Sequence, residues 1–455
     1  MFDDLGIVLQ TARSTLAEVA ELSEPHGSVQ PQWPSESECI DLIRELEDLK
    51  AAAAAAQARL SVDLVSARER ALERAKGPEQ RVSARRAVRS TAAEVALARR
   101  ESPHRGSRQL GLARALTTEL PHTFRALQRG QVSEWRATLI CRETACLSRE
   151  DRIEVDRRLA ADTGGTDGWG DRRLADAARK LAYTLDPHAV VDRAARARND
   201  RHVSVRPAPD TMTWLSALLP VEHGVACYAA LKRIADTAMA VGDDRSRGQI
   251  MADTLVERLT GRSAADPAEV QVKLVLTDRT LLQGGPEPAH LEGYGTVPAQ
   301  WARDRVRDAL SRAAVFVRQL YTHPVTGALV AMASRSRRAP TGLADLIATR
   351  DQTCRTPWCD APIRHTDHAR PAAMGGKTDG DNLQGLCEAC NQAKEAPGWR
   401  TRPGPSGMRH LVVTTTPTGH SYRSLAPPPP GHRRSVGEMY VASLTGRIAP
   451  AYRCA

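Results

Sequence analysis

The sequence predicts a mainly α-helical protein with a small α+β midsection, followed near its C-terminal end by a compact ββα module. Three observations predict this fold class. Ala, Arg and Leu are abundant while only 4% of residues are aromatic, residues 38–76 contain neither Pro nor Gly, and four cysteines lie between positions 354 and 390. The first two features are typical of helices, and the third is typical of a metal-stabilised module.

The first two hundred residues are predicted to be all-helical. Apolar positions in residues 3–22 follow helical spacing, and the Pro- and Gly-containing stretch after them predicts a linker. Residues 38–76 combine strong helix formers with acid-to-base pairs at turn spacing, which predicts one long helix. Further helices are expected at about 82–101, 106–129, 131–145, 149–162 and 170–184.

The pattern changes at about residue 200. The segment HVSVRPAPDTMTWLSALLP alternates apolar and polar residues around a Pro-Asp turn, which predicts a β-hairpin. Helices are expected at residues 221–240 and 247–259, and EVQVKLVLTDRTLL predicts a strand with Val270, Val272, Leu274 and Leu276 on one face. We expect these strands to form one small sheet packed on helices, which gives an α+β midsection.

Composition limits the functional classes. The chain has 455 residues with 64 Lys and Arg against 54 Asp and Glu, a net charge of +10 that favours an anionic partner such as DNA. No stretch of 18 apolar residues predicts a membrane span, and the acidic start does not resemble a signal peptide. Clustered cysteines suit a reducing compartment, so a cytoplasmic location is expected. The sequence identifies no protein partner.

The cysteines form two pairs. Cys354 and Cys359 are separated by four residues, Cys387 and Cys390 by two, and 27 residues lie between the pairs. Two thiolate pairs on separated turns predict tetrahedral four-sulfur coordination of Zn²⁺, and the competing interpretation is four unrelated buried cysteines. Such a zinc is structural, because all four coordination positions are filled. Few apolar residues lie nearby, so metal binding would supply much of the folding energy.

The chemistry is therefore expected from the residues between the pairs. IRHTDH predicts a strand that ends at Asp367 and His368, PAAMGGK predicts a turn into a second strand, and the segment around Cys387 predicts a helix. Within this helix Cys387, Cys390, Asn391 and Lys394 share one stripe. Asp367 and Asn391 offer oxygen ligands for Mg²⁺ or another divalent cation.

Other residues complete the predicted site. His368 could accept a proton from an attacking water, because imidazole titrates near neutral pH. Asn382 is predicted to hold the loop between the strands and to polarise His368, and Arg370 or Lys394 to neutralise a phosphate. Two alternatives stay open. His365 could replace or assist Asp367 as a ligand, and His368 could be an ordinary core or surface histidine.

These residues carry a resemblance to a known family. DHARP, GGKT, DNLQGLC and CNQAK resemble the HNH endonuclease motif of the ββα-metal (His-Me finger) class in its four-cysteine form, with His368, Asn382 and Asn391 at the signature positions. The wider pattern resembles the actinobacterial 13E12-repeat proteins, in which a helical domain of unknown function precedes the HNH module. The resemblance implies metal-dependent hydrolysis of DNA phosphodiesters, with His368 as general base, Asn382 orienting it, and Asp367 with Asn391 on the metal.

Four segments follow from these observations. We predict an N-terminal helix and linker at 1–36, a helical and α+β domain of unknown function at 37–335, an HNH nuclease domain at 336–425, and a disordered tail at 426–455. The predicted function is a metal-dependent DNA endonuclease. The alternative is a non-catalytic, zinc-dependent DNA-binding protein of a mobile or repeat element.

Overall fold

The computed structural model describes residues 2–21, 34–74, 84–162, 165–263, 272–311, 338–405 and 409–430. Three predictions fall wholly or partly outside these residues. They are the linker near residues 22–33, the beginning of the strand predicted at Val270, and residues 431–455 of the predicted tail.

The N-terminal part is helical, as predicted. In chain order its helices are α1 (Phe2–Glu21), α2 (Glu36–Arg74), α3 (Ala84–Ala98), α4 (Pro103–Thr118), α5 (Pro121–Gln128), α6 (Glu134–Glu143), α7 (Arg149–Ala160), α8 (Asp171–Leu185) and α9 (Pro187–Ala197). Helix α2 agrees with the long helix predicted for residues 38–76, whereas α9 was not predicted. No helix in the described ranges combines the length and the apolar character that a membrane crossing requires.

The single helix predicted for residues 106–129 is wrong, because the chain breaks between α4 and α5. Pro121 has no N–H to continue the helix, and its ring disfavours helical geometry at Leu120, which has φ −128° and ψ 58°. Asp156 on α7 then caps the new helix. Its fully buried carboxylate accepts hydrogen bonds from the backbone N–H of His122 at 2.6 Å and of Thr123 at 2.9 Å.

The helical core is made of aliphatic side chains. Leu116, Leu120, Leu127 and Leu174 are each at most 1% exposed, and every such leucine contributes about 1.5–3 kcal/mol by its burial. The alanine run of α2 lies against this core through Ala51 and Ala55, among others. Small side chains at these positions let α4 and α5 approach α2 closely.

Helix α3 differs from its neighbours because eight consecutive residues, 90–97, are all buried. Helices α2 and α4 cover one side of it. The approach of α4 is so close that a Cβ at Gly106 would collide with Ala96. An ordinary surface helix buries only one stripe of side chains. Another part of the protein must therefore cover the side of α3 that α2 and α4 leave open.

The midsection contains two small sheets. Its elements are β1 (His202–Ala208), β2 (Met212–Leu218), α10 (Val221–Ala240), α11 (Arg247–Thr260), β3 (Leu274–Val275), α12 (Asp278–Leu282), β4 (Ala289–Leu291), β5 (Gly295–Val297) and α13 (Ala299–Leu310). The predicted hairpin is confirmed as the antiparallel pair β1–β2. The prediction of one sheet is wrong, because β3 pairs with β4, and β4 with β5, in a separate sheet.

The C-terminal module follows α14 (Thr341–Asp351). It comprises β6 (His365–His368), β7 (Leu383–Leu386), α15 (Glu388–Lys394), β8 (Arg400–Pro403), β9 (Leu411–Thr415) and β10 (Ser421–Leu425). Strands β6 and β7 are antiparallel and lead into α15, which confirms the predicted ββα unit. Strand β9 lies between β8 and β10 in a three-stranded antiparallel sheet. The hydroxyl of Thr401 on β8 donates to the carbonyl of Ala369 at 2.6 Å and ties this sheet to β6.

Candidate active site and metal centre

The four predicted cysteines form one buried cluster. The sulfur atoms of Cys354, Cys359, Cys387 and Cys390 all lie within 4.8 Å of one another, and none of the four residues is more than 8% exposed. Cys359 Sγ and Cys387 Sγ are 3.7 Å apart. Zinc–sulfur bonds of about 2.3 Å in a tetrahedron require sulfurs about 3.8 Å apart. The cluster therefore fits a tetrahedral metal ion, and unrelated cysteines do not account for it.

Cys387 links this cluster to α15. It is the N-cap residue of the helix, and its Sγ accepts a hydrogen bond from the backbone N–H of Cys390 at 3.4 Å. Hydrogen bonds from the Cys354 and Cys359 thiols hold the pKa of Cys387 below its ordinary value. Hydrogen bonding to the sulfur of Cys354 has the opposite effect at Cys390 and raises the pKa of that thiol. The start of α15 is thus fixed by the sulfur cluster.

His368 ends β6 and is 9% exposed. Its Nε2 lies 3.0 Å from Oγ1 of Thr378, which is also buried at 6% exposure. The backbone carbonyl of His368 accepts a hydrogen bond from Lys394 Nζ at 3.2 Å. The ring of this buried residue is therefore oriented by its bond to Thr378, while the bond from Lys394 fixes the backbone of His368.

Asn382 holds the loop between β6 and β7. Its Oδ1 accepts from the backbone N–H of Arg370 at 2.8 Å, and its Nδ2 donates to the carbonyls of Arg370 at 3.0 Å and Lys377 at 2.8 Å. Gly376 passes so close to Arg370 that a Cβ there would overlap the Arg370 carbonyl. The side chain of Asn382 therefore contacts the loop backbone, and these three bonds are directed to Arg370 and Lys377 and not to the ring of His368.

Asp367 contacts α15 through Lys394. Its Oδ2 lies 2.5 Å from Lys394 Nζ, which also lies 3.1 Å from Oε1 of Glu395. Together with the carbonyl of His368, these contacts engage all three donors of an ammonium group. The Lys394 side chain is only 8% exposed. The structure thus places Lys394 in an internal ion pair, although the sequence predicts a phosphate contact for it.

Asn391 lies one turn before Lys394 on α15. Residues three apart share a helix face, so the carboxylate of Asp367 approaches the stripe that carries Asn391. The Oδ1 atom of Asn391 is buried and has no hydrogen-bond partner among the described residues. A buried carbonyl oxygen without a partner costs about 1–3 kcal/mol, so a ligand bound to this atom would offset that cost.

Two predicted residues lie at the surface. Arg370 is exposed on the loop directly after β6, where its guanidinium can meet a substrate. His365 is exposed at the start of β6, two residues before Asp367 and on the same face of the strand.

A buried ionic network supports β7 from behind. Asp351 at the end of α14 has a fully buried carboxylate, which lies 2.7 Å from Arg350 Nε and 3.7 Å from Arg355 Nε. The same carboxylate accepts from the backbone N–H of Gly385 at 2.7 Å. Arg355 continues the network to the carbonyls of His410 and Ser424. The network joins α14, β7 and the β8–β10 sheet.

Comparison with known families assigns both parts of the chain. The model of the domain of unknown function DUF222 matches residues 44–351, which is more than half of the chain. The chain belongs to the DUF222 family. The HNH endonuclease model matches residues 352–396 directly after it. The predicted two-part architecture of this DUF222 protein is therefore confirmed, whereas the 13E12-repeat name stays a prediction.

The curated relatives are mycobacterial proteins described as uncharacterized. MT2160 and Rv2100 of Mycobacterium tuberculosis are each 30% identical over 207 residues, which are 44% of this chain and 32% of theirs. Rv3776 of the same species is 33% identical over 143 residues, 30% of this chain and 24% of its own. The match thus spans a third or less of the length of these relatives. No solved structure matches the chain.

Sequence reasoning missed two parts of the site. Thr378 lies in the GGKT segment, which resembles the family motif, but the sequence gives no role for its hydroxyl. In the network around Asp351 the charged residues are close in sequence, but their bonds to Leu383 and Gly385 cross more than thirty residues of chain and have no local signal. Only the folded module brings α14 behind β7.

Proposed function

We propose that this DUF222 protein is a metal-dependent DNA endonuclease whose HNH module hydrolyses phosphodiester bonds. The observation that carries the proposal is the buried, unpartnered Oδ1 of Asn391 on the helix that the Asp367 carboxylate approaches. Two oxygen donors of this kind suit a hard divalent cation. The match to the HNH endonuclease family supports a nuclease in general.

The sulfur cluster is proposed to hold a structural Zn²⁺. Four cysteine sulfurs at tetrahedral spacing fill every coordination position, so this ion would have no open site for substrate. Its proposed role is to fix the N-terminus of α15 at Cys387 and thereby to orient Asn391. The clustered, unpaired cysteines also favour a reducing compartment, so we place the protein in the cytoplasm.

Asp367 and Asn391 are the proposed ligands of the second ion, which would be Mg²⁺ or another divalent cation. When bound, such an ion stabilises negative charge on the phosphate and on the leaving oxygen. Lys394 keeps one oxygen of Asp367 engaged, so the other carboxylate oxygen is the one proposed to face the ion. His365, exposed on the same strand, is the alternative ligand, which would replace or assist Asp367.

His368 is the proposed general base, and its environment defines how it would act. A base needs one ring nitrogen with a free lone pair. If Thr378 Oγ1 accepts a hydrogen bond from Nε2–H at the observed 3.0 Å, the lone pair lies on Nδ1. His368 Nδ1 would then take a proton from the attacking water, while Thr378 keeps the ring from rotating.

The loop between β6 and β7 is the proposed substrate edge. Asn382 fixes the backbone around Arg370, and the exposed guanidinium of Arg370 suits a phosphate of the DNA backbone. A phosphate role for Lys394 requires that it leave its ion pair with Asp367, so Arg370 is the stronger of the two proposed contacts.

The second candidate is a non-catalytic, zinc-dependent DNA-binding protein. One observation favours it, because the ammonium of Lys394 already supplies a cation to the carboxylate of Asp367. In this alternative the module folds around zinc and binds DNA, and Asp367 never coordinates a second metal.

A plasmid assay separates the two. Supercoiled DNA is incubated with the protein in Mg²⁺, Mn²⁺ or Ni²⁺, and His368→Ala is compared with His223→Ala, which changes an exposed histidine of α10 outside the proposed site. We expect His368→Ala to reduce cleavage by about 10²–10⁴-fold, the usual contribution of a general base, and His223→Ala to have a small effect. Unchanged cleavage in His368→Ala would refute the base assignment. Binding without cleavage in every metal would support the alternative.

A further inference from the structure

Helix α3 of the DUF222 domain is covered on its second side by the nuclease module. The residues of α3 that hydrogen-bond to the module are Arg86, Arg89, Ser90 and Glu94, which fall along one stripe of the helix. These residues are more than three hundred positions from their partners in sequence. The complete burial of residues 90–97 follows from this second contact.

Three side-chain hydrogen bonds connect α3 to α15 and to the residues that follow it. Arg86 Nη2 donates to the carbonyl of Glu395 at 2.6 Å, and Arg89 Nη1 donates to Oε1 of Gln392. The indole Nε1 of Trp399 donates to Ser90 Oγ at 2.8 Å. Arg86 and Arg89 thus hold the C-terminal end of α15, opposite the end that the cysteines fix.

Glu94 anchors the other part of the module. Its Oε1 accepts a hydrogen bond from the backbone N–H of Thr418 at 3.0 Å and another from the Thr418 hydroxyl, in the turn between β9 and β10. Its other oxygen pairs with Arg68 of α2. Burial alone would raise the pKa of Glu94, but hydrogen bonds from Thr418 and Arg68 outweigh it and leave the pKa lowered. Glu94 is therefore a charged link between α2, α3 and the module.

The two helices are separated by a narrow apolar cleft. On the α3 side it is lined by Ala93, Ala96 and Leu97, and on the α15 side by Ala393 and Lys394. The opposite end of the Lys394 side chain bonds Asp367 of β6. A shift of α15 relative to α3 would therefore also move the contact between α15 and β6.

We infer that α3 is a positioning surface for α15, so that the DUF222 domain sets the placement of Asn391 relative to β6. The inference rests on the proposed function, in which Asn391 is a metal ligand. The sulfur cluster fixes the N-cap residue Cys387 of α15. At the other end of this seven-residue helix the long side chain of Lys394 bonds Asp367 of β6. The bonds from Arg86 to the Glu395 carbonyl and from Arg89 to Gln392 add a second restraint on that end. The domain of unknown function would thus be a required part of the nuclease site.

The test compares Arg86→Ala/Arg89→Ala with Arg100→Ala/Arg108→Ala, which removes two exposed arginines of the same domain and matches the change in charge. Each protein is measured for zinc content, for hydrogen exchange of the α15 amides, and for kcat and KM on plasmid DNA. We expect the first variant to keep its zinc, to exchange the α15 amides about tenfold faster and to lose about tenfold in kcat with KM unchanged. The control should resemble the wild type in all three measurements.

The conservative variant Arg86→Lys/Arg89→Lys keeps two donors and should recover both slow exchange and kcat. Unchanged exchange and kcat in the alanine variant would overturn the inference, and so would a rise in KM alone, because that result assigns the arginines to DNA. If the wild type cleaves no plasmid, the proposed function fails, while the hydrogen-exchange comparison still decides whether α3 restrains α15.

Discussion

The helical domain and the nuclease module are stabilised by different means. In the helical domain, leucine, valine and alanine side chains from α2 and α4 to α8 form one continuous apolar core. In the module the apolar clusters are small. One consists of the four cysteines with Leu386, and another joins Leu383 of β7 to Leu343 and Ile347 of the preceding helix α14. Buried polar groups also stabilise the module, through the hydrogen bonds and ion pairs that Asp351 and Asn382 make with their partners.

Because of this difference, different substitutions should destabilise the helical domain and the module. An apolar core loses stability gradually, by a few kcal/mol for each truncated side chain. A module that depends on a metal cluster and on buried charges can lose its fold when a single group is removed. The following predictions test this contrast, from the largest expected effect to the smallest.

Removal of one sulfur ligand should have the largest effect. Cys387→Ser removes a proposed zinc ligand, while the serine hydroxyl can still cap α15, and structural zinc contributes about 10–16 kcal/mol to small domains. We expect the module to lose its zinc and to unfold while the helical domain keeps its own thermal transition. Metal analysis and circular dichroism measure the two effects. Cys39→Ser, at an exposed position of α2, is the control, and full zinc retention in Cys387→Ser would refute the four-cysteine site.

Neutralising Asp351 should be the next largest change. Asp351→Asn leaves the nearly buried guanidinium groups of Arg350 and Arg355 without their carboxylate, and breaking a buried ion pair typically costs about 3–5 kcal/mol. We expect zinc release to occur at a clearly lower urea concentration than in the wild type. Asp360→Asn, at an exposed position of the same module, should leave the midpoint unchanged. Equal midpoints for both variants would show that the network contributes little.

The smallest effect at neutral pH should come from the titration of His410. Burial, together with the positive charge of Arg350, lowers the pKa of His410 to about 3. Between about pH 6.5 and 3 the unfolded chain therefore binds a proton that the folded module does not. The free energy of unfolding should fall as the pH drops through this window, by at most about 1.4 kcal/mol per pH unit, with no contribution above it.

Urea titrations of the module at several pH values measure this slope. His410→Gln removes the titrating group and should flatten the curve below pH 6.5, whereas His365→Gln, at an exposed position, should not. A slope that is the same in His410→Gln and in the wild type would assign the acid sensitivity to other groups.

The sequence predicts the local features of this protein and misses those made by distant contacts. The extent of α2, the hairpin β1–β2 and the order of β6, β7 and α15 follow from propensity and periodicity within short windows. The break at Pro121 also had a local signal, which the regular apolar pattern concealed. By contrast, the position of β3 in a separate sheet depends on pairing with Ala289–Leu291.

In the candidate site too, some features follow from local sequence and others depend on distant contacts. The spacing of the cysteines and the positions of Asp367, His368, Asn382 and Asn391 could be read from forty residues, and the sulfur cluster forms as predicted. The burial of Lys394 in an ion pair and the bond between Thr378 and His368 could not be read, because they depend on how β6 and α15 approach each other. The contact between α3 and α15 joins residues 309 positions apart and has no signature in either segment.

The long separation between α3 and α15 has a consequence for synthesis. The chain emerges from the ribosome at about 5–20 residues per second, so the 309 residues between Arg86 and Glu395 take roughly 15–60 s to make. Throughout that interval the helical domain can fold, but the alanine-rich face of α3 remains exposed to solvent. A nascent chain of this protein therefore exposes the apolar face of α3 until α15 has been synthesised. Chains that stall or terminate before that point should be prone to aggregation and degradation.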